Sequence, residues 1–449
     1  MGKKISFILL FAGCHAFAQG PGITSWLQNT TGITGRHYVS GNSTPINDAT
    51  LANVQAVQYS AGSVYVSTKG IPSYITGPFL DGNPSLAANQ NAIFKFPLAP
   101  VQNTGTPTAT NGGNIGVFIN GVALFDYRDG VSYKLSTGAN AGGPLGGMGD
   151  GVWNRDAVVA EKGGFDCAKG HPAMGNYHHH QNPSAFNLDL TVISTVCNLY
   201  LADGLYVINA AAHSPLIGFA YDGFPVYGAY GYKNVDGTGG IVRMKSSYAL
   251  RNITTRTVYA DGTNVTDGPA VNAVFPLGMY REDYQYNPTS AATPDYLDAH
   301  NGRFCVTPEY PLGTYAYFTT VDANHNSAYP YAVGPTFYGV KSAAKVTSVT
   351  EPTTTYTPLA NTAFNIDSLN FQVFPNPASD LIAIQSSEMI TENLKAELID
   401  EQGRIVETKT FLQGSTICFF ETDTVYNGIY FLKISGRNKS KTFKVIINK

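Results

Sequence analysis

Charged residues are scarce in this chain of 449 residues, of which only 13% are Asp, Glu, Lys or Arg. The formal net charge is −3 at pH 7, so there is no surplus of basic groups to neutralise a phosphate backbone. The composition therefore argues against a nucleic-acid-binding protein as the default interpretation.

Long helical patterns are also missing from the sequence. No long stretch repeats Leu, Ala, Glu and Lys with helical period, whereas Gly and Tyr are plentiful at 47 and 28 residues. Beyond the N-terminal region, no apolar run is long enough to form a transmembrane segment. These features are typical of a secreted, loop-rich β protein.

Familiar catalytic signatures are absent too. The sequence has no Gly-x-Ser-x-Gly nucleophile elbow and no His-Glu-x-x-His helix. The glycine-rich stretch 138–151 lacks the lysine of a P-loop, so it predicts a loop. Asp222 and Glu309 lie near candidate loops, but no spacing in the sequence pairs them as glycosidase carboxylates. The sequence therefore specifies no catalytic mechanism.

Short strand patterns separated by turn residues recur along the chain. Asn120-Gly121 divides two apolar runs and predicts a hairpin, because both positions of such a turn favour positive φ. Asp222-Gly223 predicts a second hairpin, whose second strand should lie at a sheet edge because Pro225 lacks an N–H group. We predict a mainly β chain with a loop-rich, β-sandwich-like domain over residues 19–340, with its core in 50–340.

The N-terminus is predicted to be an export signal, residues 1–18. Lys3 and Lys4 precede a short apolar run over residues 5–12, and Ala16-Phe17-Ala18 forms a cleavage site of the small-x-small type. The apolar run is too short to remain in a bilayer as a permanent helix. We therefore expect cleavage after Ala18 and release of an exported mature chain.

A small β module is predicted at the C-terminal end, over residues 371–449. Its short alternating strand patterns are broken by Asn, Gly and Pro, which is typical of a compact, immunoglobulin-like β-sandwich. The preceding Thr/Pro-rich segment, residues 341–370, is poor in large apolar residues and predicts an extended linker.

This module resembles the type A C-terminal sorting domain of type IX secretion substrates. The resemblance is carried by Phe374-Pro375-Asn376-Pro377, by the turn from Asp400 to Arg404 and by Gly428-Ile429-Tyr430. It implies recognition by the type IX secretion machinery and passage across the outer membrane of a Bacteroidetes-type bacterium. The product would then be secreted or attached to the outer surface. An ordinary immunoglobulin-like accessory domain is the alternative that the strand pattern alone leaves open.

Histidines are concentrated in the tract Gly175-Asn176-Tyr177-His178-His179-His180, which holds three of the nine in the chain. In an extended strand, His178 and His180 point to one face and His179 to the other. Imidazole is the commonest protein metal ligand. Two imidazoles on one face therefore predict a metal site, with a half-buried structural strand as the alternative.

Further candidates for the metal site lie near this tract. His171 is expected to reach the site from an upstream turn, and His213 is a more distant candidate ligand. Asp222 is a minor candidate ligand, because its part in the Asp222-Gly223 turn already explains an aspartate at this position. Asp166 is expected either to cap a turn or to orient a histidine from behind. Tyr177 is expected to pack, or to donate a hydrogen bond to a bound ligand.

Two functions of different classes fit these residues. The first is a secreted metal-binding protein whose histidines bind a divalent ion such as zinc, or copper, with or without catalysis. The second is a surface adhesion module, or a carbohydrate- or protein-binding module, whose histidines are structural and whose tyrosines contact the ligand. The metal content of the mature protein distinguishes the two.

The middle of the chain, about residues 50–340, resembles the YHYH family, named for a Tyr-His-Tyr-His tract. The motifs that carry the resemblance occur in order: Gly70–Tyr74, Gly77-Pro78, Phe165–Pro172, Gly175–His180, His213–Gly228, Asn301–Arg303 and Thr307–Tyr315. One position departs from the family pattern, since His179 stands where the family has its second tyrosine. Because that position faces away from His178 and His180, the predicted site is unaffected.

Four cysteines remain once the predicted signal is removed: Cys167, Cys197, Cys305 and Cys418. Export permits disulfides, and four cysteines allow three pairings. We expect a Cys167–Cys197 bridge, because these two cysteines flank the histidine tract and a bridge would brace it. Cys418 is expected in the C-terminal module, which would leave Cys305 as a free, buried thiol.

The Cys167–Cys197 bridge would close a loop of roughly 30 residues and contribute on the order of 3 kcal/mol to stability by the chain-entropy model. Peptide mapping of the mature protein under non-reducing conditions should recover the two cysteines in one linked fragment. Recovery of both as free thiols, or in other pairings, would contradict the expectation.

Deleting residues 371–449 should trap the protein inside the cell envelope, because the segment that resembles a sorting domain would be lost. The same segment fused to a periplasmic reporter should carry that reporter out of a cell with a type IX system. Immunoblots of medium, surface and envelope fractions measure both outcomes. Unimpaired secretion of the truncated chain would refute the assignment.

Overall fold

The computed structural model describes residues 19–39, 44–79, 85–143, 146–183, 210–290, 292–358, 369–387, 390, 393–412, 415–436 and 440–449. The predicted signal peptide and Cys197 lie outside these residues. The chain divides into two compact units, Met1–Tyr356 and Thr357–Lys449.

Strands dominate both units, as the composition predicts. The strands of the first unit are β1 (Thr34–His37), β2 (Ile46–Leu51), β3 (Val54–Tyr59), β4 (Ser63–Thr68), β5 (Ile75–Thr76), β6 (Ala92–Pro97), β7 (Asn114–Phe118), β8 (Ala123–Phe125), β9 (Arg128–Lys134), β10 (Ala139–Gly142), β11 (Asn154–Asp156), β12 (His171–Ala173), β13 (Asn176–His179), β14 (Leu216–Ala220), β15 (Pro225–Tyr227), β16 (Tyr230–Tyr232), β17 (Ile241–Arg243), β18 (Tyr248–Leu250), β19 (Tyr284–Tyr286), β20 (Gly302–Cys305), β21 (Thr314–Phe318), β22 (Ala344–Val346) and β23 (Thr354–Tyr356). Those of the second unit are β24 (Phe371–Phe374), β25 (Leu381–Ser386), β26 (Leu394–Asp400), β27 (Ile405–Phe411), β28 (Ile417–Glu421), β29 (Gly428–Ser435) and β30 (Ser440–Ile447).

Helices are short and few in the described part of the chain. They are α1 (Pro21–Thr24), α2 (Ala157–Ala160) and two 3-10 turns, Lys162–Gly164 and Arg281–Asp283. None of these described helices has the length and apolar character needed to cross a bilayer.

Two large sheets form the centre of the first unit. One has the strand order β12-β13-β8-β7-β14-β15-β21-β20, and the other has the order β22-β6-β4-β3-β23. Aromatic side chains of both sheets pack in one core. The ring centroid of Trp26 lies 5.6 Å from that of Phe96 in the smaller sheet and 5.2 Å from that of Phe219 in the larger sheet. The prediction of a mainly β, sandwich-like domain is therefore confirmed.

The Asn120-Gly121 turn joins β7 to β8, as the sequence predicts. Gly121 has a φ of +81°, a conformation that favours glycine. A Cβ at this position would also lie 2.2 Å from Oγ1 of Thr68. The turn therefore fixes the residue at which β8 begins. Strand β13, which carries the histidines, pairs in parallel with β8.

The expectation that Pro225 marks an edge strand is wrong. Strand β15 lies inside the larger sheet, between β14 and β21. Its parallel pairing with β21 includes Val226 and Tyr227 but not Pro225. Because Pro225 is the first residue of the strand, its missing N–H group costs the sheet no hydrogen bond on that side.

The predicted linker, residues 341–370, begins too early. Strand β22 pairs with β6 and strand β23 pairs with β3, so both extend the five-stranded sheet. The division between the two units falls after Tyr356. Edge strands are held by main-chain hydrogen bonds, which is why a segment with few large apolar residues can still join a sheet.

The second unit is a small β-sandwich. A three-stranded sheet, β24-β25-β28, and a four-stranded sheet, β27-β26-β29-β30, contribute to one core. Ile382 and Phe420 of the first sheet and Leu398 and Leu432 of the second are fully buried there. The predicted C-terminal sandwich is confirmed.

Cys305 and Cys418 lie in the arrangement that the sequence predicts. Cys305 and Cys418 are buried free thiols, and Cys418 lies in strand β28 of the second unit. Since Cys197 lies outside the described residues, the Cys167–Cys197 bridge stays a prediction.

Candidate metal centre

A tight hairpin brings His171 opposite His178. Met174 and Gly175 form the two-residue turn between β12 and β13 and have φ values of +51° and +82°. Positive φ at both central positions is the mark of the hairpin turns that match the twist of paired strands. The register that follows pairs His171 directly with His178. Residues opposite each other in an antiparallel pair share a face, so these two imidazoles meet.

Strand alternation separates His179 from its two neighbours. Its Nδ1 donates to the carbonyl oxygen of Lys169 at 3.0 Å, so its Nε2 accepts the hydroxyl of Tyr74 at 2.8 Å. Burial lowers the pKa of His179 to about 3. His179 is therefore a neutral, fully hydrogen-bonded core residue on the opposite face from His178 and His180.

Three imidazoles converge on the other face. Nε2 of His180 lies 3.1 Å from Nε2 of His178 and 3.4 Å from Nε2 of His171. One ligand atom from each histidine can be chosen so that all three lie within 4.8 Å of one another. The three side chains are almost sealed from solvent, with 7%, 2% and 3% exposure for His171, His178 and His180.

Main-chain carbonyls fix the tautomers of two of these rings. Nδ1 of His178 donates to the carbonyl oxygen of Asn176 at 2.8 Å, and Nδ1 of His180 donates to that of Asp126 at 2.6 Å. A carbonyl oxygen can only accept, so each Nδ1 must carry the proton. With Nδ1 occupied in this way, Nε2 of each ring is left facing the cluster, as in metal sites whose imidazoles are oriented from behind.

A carboxylate that sequence reasoning missed lies beside the three histidines. Oε2 of Glu161 is 3.2 Å from Nε2 of His171 and 3.4 Å from Nε2 of His180. Glu161 caps the C-terminus of helix α2, whose N-terminus is capped by the Asp156 side chain through the N–H of Val158 at 2.8 Å. No motif in the sequence marks Glu161, because its nearness depends on how α2 packs beside the hairpin.

Burial and mutual attraction shift the pKa values of His178, His180 and Glu161 in different directions. Burial lowers the pKa of His178 well below its usual value, and the neighbouring histidines lower it further. Burial also opposes the charged forms of His180 and Glu161, but their mutual attraction and hydrogen bonding outweigh it, so the pKa of His180 is raised and that of Glu161 is lowered. Of these groups, His180 is therefore the one whose protonated form is favoured, beside an ionised Glu161.

Aromatic rings hold the imidazoles in place. The ring of Phe125 stacks on that of His178, with centroids 3.8 Å apart and planes at 19°. The ring of Phe165 lies edge-on to His171, with centroids 4.9 Å apart. These contacts leave the imidazole rings little freedom to rotate, which preorganises the three nitrogen atoms.

Asp166 builds the turn that precedes His171. Its carboxylate accepts the N–H groups of Ala168 and Gly170 at 2.9 and 3.1 Å and the hydroxyl of Tyr177 at 2.9 Å. Burial raises the pKa of Asp166 to about 7, while the hydrogen bonds oppose that rise. Asp166 therefore positions the β12–β13 hairpin from behind, and none of these hydrogen bonds involves the three histidines.

The Tyr177 side chain also explains a glycine of the motif. A Cβ at Gly170 would lie 2.3 Å from the Tyr177 hydroxyl oxygen and 2.8 Å from Cε1 of His179. Tyr177 is fully buried and packs near Tyr74. It therefore serves the fold on the side of the sheet away from the three histidines.

The structure does not bring His213 or Asp222 into this cluster. Nδ1 of His213 donates to the carbonyl oxygen of Ser214 at 2.7 Å, and its ring packs on Tyr227 and Tyr232 with centroids 5.2 and 4.9 Å away. Burial lowers the pKa of His213. We therefore leave His213 out of the ligand set.

The carboxylate of Asp222 is engaged in hydrogen bonds away from the three histidines. Its Oδ2 accepts the hydroxyl of Tyr317 at 2.6 Å and the N–H of Gly339 at 2.8 Å. These donors tie the Asp222-Gly223 turn to a later part of the chain. The turn-building interpretation of Asp222 is the one that the hydrogen bonds support.

Two family models match the chain. One described as YHYH protein matches residues 93–329, more than half of the sequence, and includes every residue of the histidine cluster. One described as secretion system C-terminal sorting domain matches residues 372–448. No curated protein matches the chain. Both resemblances expected from the sequence are confirmed.

Proposed function

The chain belongs to the YHYH protein family, and we propose that it is an exported protein that binds one metal ion through Nε2 of His171, His178 and His180. Its C-terminal sorting domain indicates type IX export to the cell surface or the medium. The metal would therefore be acquired in, or on the way to, an extracellular setting.

The observation that carries this proposal is the distance of Nε2 of His180 from the Nε2 atoms of His178 and His171. Around a tetrahedral zinc ion with metal–nitrogen bonds of about 2.0–2.1 Å, neighbouring ligand atoms lie about 3.3–3.4 Å apart. The His178–His180 and His171–His180 separations are 3.1 and 3.4 Å. Neutral imidazoles with facing lone pairs repel at this distance unless a cation lies between them, and a metal ion fits that requirement.

The donor set favours a first-row transition metal. Imidazole suits zinc, copper, iron and nickel, whereas magnesium and calcium prefer oxygen ligands. The main-chain carbonyls that hold Nδ1–H of His178 and His180 are the kind of outer partners that raise the basicity of a ligating imidazole. A divalent ion such as zinc, or copper, is the cofactor that we propose.

Replacement of a ligand should remove the metal. His178→Ala, His180→Ala and His171→Ala should each lower affinity by more than the roughly 10–100-fold typical of losing an outer partner. His179→Ala is the matched control, since it comes from the same strand but faces the other way. Metal stoichiometry and affinity are measured on mature, tag-free protein by elemental analysis and by titration with zinc and copper.

The outcome separates this proposal from a structural role for the histidines. If they are structural, the ligand variants lose thermal stability to the same extent with and without added metal. Absence of stoichiometric metal uptake near neutral pH, or a larger loss of affinity in His179→Ala than in the other variants, would contradict the proposal.

Metal affinity should fall in acid. The metal must displace the proton that His180 shares with Glu161, and the pKa of His180 is raised. Below that pKa each displaced proton weakens apparent binding about tenfold per pH unit. Titrations with zinc between about pH 5 and pH 8 test this expectation, and a flat profile would show that no imidazole in the site exchanges its proton for the metal.

A further inference from the structure

The carboxylate of Glu161 lies beside two of the three histidines, His171 and His180. We propose that Glu161 is the fourth ligand of this centre, which makes it a mononuclear site of three imidazole nitrogens and one carboxylate oxygen for a first-row divalent metal ion. This inference rests on the proposed metal-binding function.

The carboxylate of Glu161 lies as far from two of the imidazoles as two ligands of one metal ion lie from each other. Oε2 of Glu161 is 3.2 Å from Nε2 of His171 and 3.4 Å from Nε2 of His180. These values are close to the two Nε2–Nε2 separations of 3.4 and 3.1 Å that His180 makes within the cluster. They also match the separation of about 3.3 Å between ligand atoms around a tetrahedral ion of zinc size.

The lone pairs argue against a purely structural contact once metal is bound. Metal ligation requires neutral imidazoles whose Nε2 carries no proton. His171 and His180 then have no Nε2–H group to donate to Glu161. A carboxylate oxygen at 3.2 and 3.4 Å from two lone pairs would be repelled. Binding of all three groups to the same ion removes this repulsion.

The charge of a carboxylate also makes burial of the ion less costly. Three neutral imidazoles leave a divalent ion with its full charge in a site whose histidines are 2–7% exposed. Isolated charges are expensive to remove from water. Glu161 halves the net charge of the site, and its own side chain is 20% exposed, which places it on the solvent side of the cluster. It would therefore close the centre against water.

Metal binding would draw Glu161 inward. Among the described residues, the group whose ligand atoms all lie within 4.8 Å of one another holds the three histidines and not Glu161. The carboxylate must therefore approach His178 to complete the polyhedron. Glu161 is the residue that ends helix α2, with its N–H on the carbonyl of Ala157 at 2.8 Å, so the carboxylate approaches from a helix end and not from a strand of the sheet.

The test compares Glu161→Gln and Glu161→Ala with the wild-type mature protein, and with Glu351→Gln as the matched control. Glu351 is a glutamate of the same unit that pairs with Lys95 and is 38% exposed. Zinc affinity is measured by competition with a chelator. Cobalt(II) serves as the spectroscopic probe, because its visible absorption reports the number and type of ligands. Addition of acetate to Glu161→Ala supplies the missing carboxylate in free form.

We expect both Glu161 variants to lose at least roughly 10-fold in zinc affinity and to change the cobalt spectrum, while Glu351→Gln keeps the wild-type affinity and spectrum. Acetate should restore part of the affinity of Glu161→Ala. Wild-type affinity and an unchanged cobalt spectrum in both variants would overturn the assignment of Glu161 while leaving the three-histidine site standing. Failure of the wild-type protein itself to bind zinc or cobalt would instead overturn the proposed function.

Discussion

The pairing of His171 with His178 across the Met174-Gly175 turn is the constraint on which the candidate site depends. It places a histidine from each strand of the hairpin on one face, and His180 joins them two residues along. A slip of one residue would send His171 to the opposite face. The hydrogen bonds that Asp166 accepts hold the preceding turn and so protect this register.

Several features of the fold could be predicted from local patterns. The Asn120-Gly121 hairpin, the alternation of His178 to His180 and the C-terminal sandwich each follow from turn chemistry or from the two-residue period of strands. The edge position expected for Pro225 is wrong, because a proline at the first residue of a strand is compatible with a central strand. Strands β22 and β23 fall inside the segment expected to be a linker, because edge pairing leaves little apolar signature in sequence.

The site itself could be predicted only in part, and the reason is physical. His171, His178 and His180 are close in sequence, and strand geometry links them. Glu161 reaches the cluster through the packing of a four-residue helix. His213 stays outside it, because it precedes strand β14 and its ring packs on Tyr227 and Tyr232. Such long-range placement carries no periodic signal.

A sorting domain joined to a buried imidazole cluster also means that any metal would be held outside the cell.

The central claim is that one metal ion occupies the space between the three imidazoles. X-ray data from crystals of the mature protein grown with zinc, collected on both sides of the zinc absorption edge, test it most directly. The account predicts one anomalous peak about 2.0–2.1 Å from Nε2 of His171, His178 and His180. A cluster without such a peak, with its nitrogen atoms linked only by shared protons, would contradict it.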